Sequence, residues 1–229
     1  MIRPMFILFA GVLIQQGCIA SAETAYTYLS RALDAETGGP IYQYDIEYST
    51  ADEMLVARVD PSKAQGERIT ILSPPSSKLS ADIRDELKDL EANPLEDFWC
   101  ARVSELVPED ARLKTETQTT ATYEFRPLPT PGDPDDAKIM KHLIGVVSVS
   151  KQDPQVLSLS LSAPRPFKPV WIAKINRFEL SLQCDRAPDG RTHMQEFRVS
   201  IDGKAALQSF YERERRTIYN IKPVDLSSN

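Results

Sequence analysis

The segment YQYDIEY, residues 42–48, alternates an aromatic or aliphatic side chain with a polar one at every step. Residues two apart lie on the same face of a β-strand, so this pattern predicts a strand with one buried face and one solvated face. Tyrosine and isoleucine also favour strands. The segment VLSLSLS, residues 156–162, repeats the alternation with leucine and serine. Together the two segments predict an antiparallel sheet with one apolar face.

Further alternating segments, separated by proline, glycine and aspartate, bring the prediction to about ten strands. The other predicted strands are residues 54–59, 68–72, 113–119, 122–126, 144–150, 171–184, 194–201 and 207–221. Apolar residues at helical spacing and suitable end residues predict short helices at residues 25–33, 81–90 and 135–142.

A sheet with this many strands curls or closes, because a flat one is unusual. We therefore expect a mainly β (α+β) fold, in which a single strongly curved antiparallel sheet forms a half-barrel. The two or three short helices are expected to cover its concave face. No internal repeat and no long linker divides the chain, so residues 23–229 are predicted to form a single β-rich domain.

Residues 1–22 have the features of a signal peptide. Arg3 gives a positive start, residues 6–14 are apolar, and Ala20-Ser21-Ala22 is a small-x-small cleavage site that leaves Glu23 as the new N-terminus. The apolar run is too short to span a bilayer. The sequence therefore predicts an exported, periplasmic protein whose mature chain has no transmembrane segment.

A second interpretation of this region is a lipoprotein signal cut before Cys18. Such a signal has an aliphatic residue three positions before the cysteine, and here that position is Gln15. The mismatch disfavours a lipid-anchored form.

Only Cys100 and Cys184 remain once residues 1–22 are removed. Two cysteines in an oxidising compartment have a single intramolecular pairing, which predicts a Cys100–Cys184 disulfide. A redox-active pair would have its thiols close together in sequence, which these are not. Two free buried thiols are the alternative.

The charge balance argues against a nucleic-acid partner. The chain has 27 basic and 33 acidic residues, for a formal net charge of −6. An acidic protein without a basic stripe gains little from counterion release on nucleic acid. Arg213, Arg215 and Arg216 are interspersed with glutamates, a pattern typical of the solvated face of a strand.

The chain has no motif for a metal site, a phosphate-binding loop or a serine nucleophile. Asp133, Asp135 and Asp136 lack the spacing of a calcium loop and are interpreted as a solvated acidic loop. His142 and His193 are far apart in sequence, and His193 is expected at the surface or at a rim. We therefore expect no enzymatic activity, no metal and no cofactor.

Several segments resemble the half-barrel superfamily of LolA- and LolB-type periplasmic lipoprotein carriers. They are the tyrosine-rich strand and its partner at residues 42–60, which leads into Val59-Asp60-Pro61, and the strand pair at residues 145–161. The order of helix, strand meander, helical insertion and paired strands is also similar. This resemblance implies a half-barrel that binds lipids or, in some relatives, senses misfolded envelope proteins.

Residues 163–168 (APRPFK) and 184–191 (CDRAPDGR) further resemble exported alphaproteobacterial proteins that have no assigned activity. The lipoprotein carriers have an arginine that gates their cavity, and no position of this sequence is matched to it.

Aromatic residues on the predicted strands are the best candidates for a binding site. Tyr44, Tyr123 and Phe125 are predicted to point to the concave side, towards Ile83 and Leu87 of the helical insertion. They either fill the core or line an apolar cavity, in which phenol groups at the mouth suit an amphipathic ligand.

Two functions remain open at this point. The first is a periplasmic carrier or binding protein for a hydrophobic or amphipathic ligand such as a lipid acyl chain. The second is a non-enzymatic envelope protein, structural or regulatory, that has a filled core and binds another protein.

Overall fold

The computed structural model of this chain describes residues 20–35, 38–96, 98–206 and 208–224. The predicted signal peptide therefore lies almost entirely outside the described residues, and its cleavage stays a prediction. The domain prediction for residues 23–229 stays a prediction as well.

Eleven strands in the described ranges form one antiparallel sheet. They are β1 (Ile41–Thr50), β2 (Met54–Val59), β3 (Ile69–Ser73), β4 (Arg112–Glu116), β5 (Thr120–Phe125), β6 (Ile144–Ser150), β7 (Val156–Ser162), β8 (Phe167–Val170), β9 (Ala173–Arg186), β10 (Thr192–Ala205) and β11 (Gln208–Val224). Their order is β3-β2-β1-β11-β10-β9-β7-β6-β5-β4, with β8 paired to β9. Because β3 and β4 are the two edges, the sheet is open, and the predicted mainly β half-barrel is confirmed.

One row of cross-strand partners identifies the face that the helices cover. From β2 to β4 the row is Leu55, Tyr48, Arg216, Phe197, Leu182, Leu159, Val147, Tyr123 and Leu113. Directly paired residues lie on the same face of an antiparallel sheet. Eight of the nine are apolar or aromatic, so this face carries the core, and Arg216 is the one charged residue in the row.

In the residues that the structure describes, three α-helices and two 3-10 turns complete the fold. They are α1 (Ala20–Leu33), α2 (Ala81–Ala92), α3 (Pro134–Met140) and the 3-10 turns Ser76–Lys78 and Cys100–Glu105. Helix α1 contacts β4, β5 and β6, the turn Cys100–Glu105 contacts β7 and β10, and α3 contacts β8. Leu29 and Ala32 of α1 are buried, so this end of α1 packs into the core.

Local signals explain where two of the helices begin. The Ser80 hydroxyl accepts a hydrogen bond from the backbone N–H of Ile83, which caps α2. The Asp133 carboxylate accepts hydrogen bonds from the backbone N–H groups of Asp135 and Asp136, which caps α3. The acidic loop at residues 133–136 therefore has a structural role as a helix start.

The segment that follows α2 is tied to the sheet at three points. The backbone N–H of Met194 donates to the carbonyl of Phe98 at 2.8 Å, and Trp99 forms a β-bridge with His193. Cys100 and Cys184 form the predicted disulfide, with their Cα atoms 6.3 Å apart. These links hold the turn Cys100–Glu105 over β9 and β10.

The structure differs from the sequence-based prediction in one connection. Residues 171–184 were predicted as one strand, but Trp171 and Ile172 form a tight turn between β8 and β9. Turns of this kind usually contain glycine, asparagine, aspartate or proline, and none of these occupies the two turn positions. The sequence therefore lacked the signal for this hairpin.

Two glycines let an aromatic ring lie flat on the neighbouring strand. Gly145 is paired with Phe125, and a Cβ added to Gly145 would lie 2.4 Å from Cζ of that ring. Gly203 is paired with Phe210 in the same way, also with a 2.4 Å approach. No real Cβ makes such a contact, so a side chain at either position displaces the ring.

We predict that Gly145→Ala lowers the free energy of unfolding by about 1–3 kcal/mol, because the added Cβ overlaps the buried ring of Phe125 and the ring has to move from its packed position. Denaturant unfolding measures the change. Gly38→Ala is the matched control, since a Cβ at Gly38 meets nothing within 4 Å. Equal stability of Gly145→Ala and wild type would contradict the packing described here.

We also predict that replacing both Cys100 and Cys184 by serine destabilises the fold by up to about 4–5 kcal/mol, because the bond closes a loop of 84 residues in the unfolded chain. Thermal unfolding of the double variant against oxidised wild type tests this. If the reduced wild type and the oxidised wild type unfold together, the disulfide contributes nothing to stability.

A two-part cavity on the concave face

The smaller part of the candidate site is a cavity of about 220 Å³ between α2 and the sheet. Tyr44, Tyr48 and Ile218 lie on its sheet side, and Leu87 and Leu90 on its helix side. The Tyr44 hydroxyl donates to the carbonyl of Pro94 at 2.5 Å, which links β1 to the end of the α2 segment. The phenol of Tyr44 therefore has its hydrogen-bond need met within the wall.

The larger part is a cavity of about 380 Å³ between the turn Cys100–Glu105 and the sheet. Eight of its twelve lining residues are apolar, so an apolar ligand would contact a mainly apolar wall. The eight are Trp99, Val103, Leu106, Leu159, Leu180, Leu182, Met194 and Phe197. The four polar lining residues are Glu96, Arg102, Glu105 and Arg216.

Glu96, Met194 and Arg216 line both cavities, so the two parts adjoin at these residues. Arg216 is held at the boundary by Glu86 of α2, at 3.0 Å, and by Glu214 of its own strand, at 2.6 Å. A buried or half-buried charge needs such partners, because desolvation without them is costly.

Aromatic rings surround the same guanidinium. Its carbon lies 5.5 Å from the ring centre of Tyr48 and 5.7 Å from that of Phe197. Both distances are within the range of cation–π attraction. Burial, followed by the charges of Glu214 and Glu86, raises the pKa of Tyr48 to about 12. Tyr48 therefore contributes a neutral phenol to the wall at physiological pH.

The predicted site residues are divided between the cavity and the packed core. Tyr44 and Leu87 line the smaller cavity. Ile83 is 2% exposed and belongs to the core below α2. Tyr123 and Phe125 share the concave face with Tyr44, but at 1% and 5% exposure they lie in the core of the sheet half that α1 contacts. A ligand-binding role of these five residues stays a prediction.

Arg216 is the residue that sequence reasoning placed in a different environment. The alternation of arginine and glutamate at residues 212–216 indicated a solvated face. In the structure this stretch has two sides, and Arg216 and Glu214 point to the concave one with side chains 23% and 17% exposed. The aromatic cross-strand partners Tyr48 and Phe197 indicate that Arg216 lies on the concave face, but these partners can be identified only once the strand pairing is known.

Six residues between Glu96 and Leu106 line the larger cavity. From the sequence, only Leu95, Phe98, Trp99 and Cys100 were predicted to form a short packed element, with no role in a cavity. Trp99, Val103 and Leu106 occur without a periodic pattern, because the segment is a 3-10 turn and not a helix or strand.

Within the described residues, no group of three or more histidine, cysteine, aspartate or glutamate side chains is placed to hold a metal ion. No helix in this part of the chain is long and apolar enough to cross a bilayer.

No protein-family model and no curated protein sequence matches this chain. Among solved structures, the chain is similar to the crystal structure of LolA superfamily protein NE2245 from Nitrosomonas europaea. The alignment covers 88% of this chain and 94% of that one, with 13% sequence identity and a TM-score of 0.32. The sequence-based resemblance is to the same superfamily.

His193 was expected at the surface or at a rim, and the structure corrects this, because its side chain is buried. It is 3% exposed, stacks on Phe98 with ring centres 5.4 Å apart, and contacts the carbonyl of Met194 through Nδ1 at 2.9 Å. Burial lowers the pKa of His193, because desolvation disfavours the imidazolium. Its ring therefore helps to hold the segment that lines the larger cavity.

We predict that stability falls as the pH drops below about 6.5, the usual histidine value. Below that pH the unfolded chain protonates His193 and the folded chain does not, until the lowered pKa of the folded state is reached. Chemical denaturation at pH 8, 7, 6 and 5 measures the slope. His193→Gln is expected to remove this part of the slope. His142→Gln, which leaves His193 buried, is expected to keep it.

Proposed function

We propose that this protein binds a hydrophobic or amphipathic ligand, of the lipid or acyl-chain class, in the two-part cavity and acts as a carrier or binding protein. The single observation that supports this function is the larger cavity of about 380 Å³ with its mainly apolar wall. Small-molecule sites usually have volumes above about 300 Å³ and a few polar groups in an apolar wall. A packed protein interior has few voids larger than a water molecule.

The polar residues of the larger cavity favour an amphipathic ligand over a purely apolar one. Arg102 and Glu105 are exposed side chains at the turn, whereas Leu159, Leu182 and Met194 form the buried wall. An acyl chain against the sheet would leave a polar head group beside the charged residues and in water. The apolar wall would then contact the apolar part of the ligand, and the charged residues would contact its polar part.

The alternative function, an envelope protein that binds another protein, predicts a filled core. The cavities beneath α2 and beneath the turn Cys100–Glu105 argue for the ligand-binding function instead. In our proposal the protein is not an enzyme, and it acts in the periplasm after loss of residues 1–22. The disulfide supports this location, because such bonds persist in oxidising compartments.

Native mass spectrometry of the protein purified without detergent tests whether it carries a ligand. We expect a second species, heavier by the mass of a lipid or fatty acid, that disappears after organic extraction. A single species at the mass of the chain, together with no uptake of added fatty acid, would contradict the proposal.

A cavity-filling variant tests the location of the site. Leu180→Trp adds an indole to the wall of the larger cavity and is expected to weaken binding of the fluorescent fatty acid cis-parinaric acid about tenfold or more, or about 1.4 kcal/mol. Leu72→Trp, the same substitution at an exposed position of β3, is the matched control. Equal affinities of the two variants and wild type would place the ligand elsewhere.

A further inference from the structure

The turn between β8 and β9 exposes three large apolar side chains. Trp171 is 89% exposed, Ile172 is 48% exposed and Val170 is 40% exposed. Trp171 and Ile172 occupy the two turn positions, where small or polar residues are usual. Apolar groups held at the tip of a hairpin contribute nothing to the core, so their placement calls for a contact outside the chain.

The neighbouring hairpin supports this tip. The backbone N–H of Ala206, in the turn between β10 and β11, donates to the carbonyl of Ile172 at 3.0 Å. Ala205 is paired with Ala173 across β10 and β9. The docking tip, defined here as residues 168–174 and 204–206, is therefore an extension of the sheet itself and presents Trp171 on a supported backbone.

Three lysines from three adjacent strands surround the apolar residues. Lys174 of β9 and Lys204 of β10 are direct cross-strand partners, and the bulge in β8 places Lys168 beside Lys174. Like charges directly opposite each other destabilise a sheet. Within the described residues none of the three lysines forms an ion pair, and residues 167–175 and 203–210 contain no acidic residue.

This concentration of positive charge is unusual for the chain, whose formal net charge is −6. The cost of opposing Lys174 and Lys204 without a carboxylate is offset if an anionic surface approaches the tip. Each lysine near an anionic lipid surface contributes about 1 kcal/mol, or about a fivefold change in affinity.

We infer that the docking tip binds the surface of a bilayer that contains anionic lipids. Trp171 and Ile172 enter the interfacial region, and Lys168, Lys174 and Lys204 contact lipid phosphates. Tryptophan is enriched at this depth of membranes because its ring is apolar and its N–H is polar. A protein groove is a less suitable partner, because a convex tip ringed by flexible lysines offers charge to a broad surface.

Tyr211 adds a second aromatic residue on the lysine side of the tip. It is 71% exposed and lies two positions beyond Ser209, which is the partner of Lys204. Alternation along β11 therefore places Tyr211 on the same face as Lys204. A bilayer surface in contact with the lysines would be within reach of this phenol.

Flotation with vesicles of phosphatidylglycerol and phosphatidylcholine, compared with pure phosphatidylcholine vesicles, tests the inference on the full chain. We expect wild type to bind the anionic vesicles more tightly. Trp171→Ala is expected to bind about tenfold more weakly, from the loss of buried indole area. Replacing the three lysines of the tip by glutamine is expected to remove the preference for anionic lipid.

Matched controls separate the tip from general effects. Met54→Ala removes another exposed apolar side chain, 56% exposed on β2, and is expected to bind like wild type. Replacing Lys88, Lys114 and Lys138 by glutamine removes the same charge from lysines that are paired with carboxylates, and is expected to keep the preference. All variants carry the same N-terminal residues, so a difference in vesicle binding between two variants is caused by the substituted residues.

Fluorescence locates Trp171 directly, because the chain has only two tryptophans. In Trp99→Phe the remaining Trp171 emission is expected to shift to shorter wavelength on anionic vesicles and to be quenched by lipids with brominated acyl chains. Uptake of cis-parinaric acid by Trp171→Ala is expected to equal that of wild type, which distinguishes this inference from the proposed function. Equal vesicle binding by Trp171→Ala and wild type, or equal binding to both lipid mixtures, would overturn the inference.

Discussion

The apolar concave face of an open, eleven-stranded sheet is too wide for the short elements that cover it. Helix α1 packs over β4, β5 and β6, and this half of the face is filled by residues such as Tyr123 and Val147. In the described part of the chain, the other half is covered by α2, by the turn Cys100–Glu105 and by residues between them such as Pro94 and Phe98. Because the sheet strands are long and these elements are short, the two cavities remain between them. The candidate site follows from this mismatch in area.

Arg216 also shapes the candidate site. It is the one charged residue in an otherwise apolar row across nine strands. Its pairs with Glu86 and Glu214 satisfy the guanidinium and connect β11 to α2. An unpaired charge in this place would cost several kcal/mol. Arg216 therefore divides the space into two parts and brings polar atoms to the boundary between two apolar walls.

Much of the architecture could be predicted from local patterns. The strands at residues 144–150 and 156–162 have the predicted bounds, because alternation in a β-strand needs only its own residues to be recognised. The helix that follows Ser80 was predicted from helical spacing and suitable end residues, and the disulfide from the count of cysteines. The tight turn at Trp171 was missed, because its two residues are not those that turn chemistry favours.

The sequence by itself determined that the chain forms one large antiparallel sheet with an apolar face, because period-two alternation specifies which residues share a face. Only the tertiary structure decided which of these residues line a cavity and which fill the core. Tyr44 and Tyr123 have the same pattern and nearly the same burial, yet Tyr44 lines the smaller cavity and Tyr123 lines neither part of the candidate site. Likewise, Arg216 borders the cavity although its neighbours are charged. Both outcomes depend on which segment lies over each strand, and contacts between distant segments are not encoded in a local period.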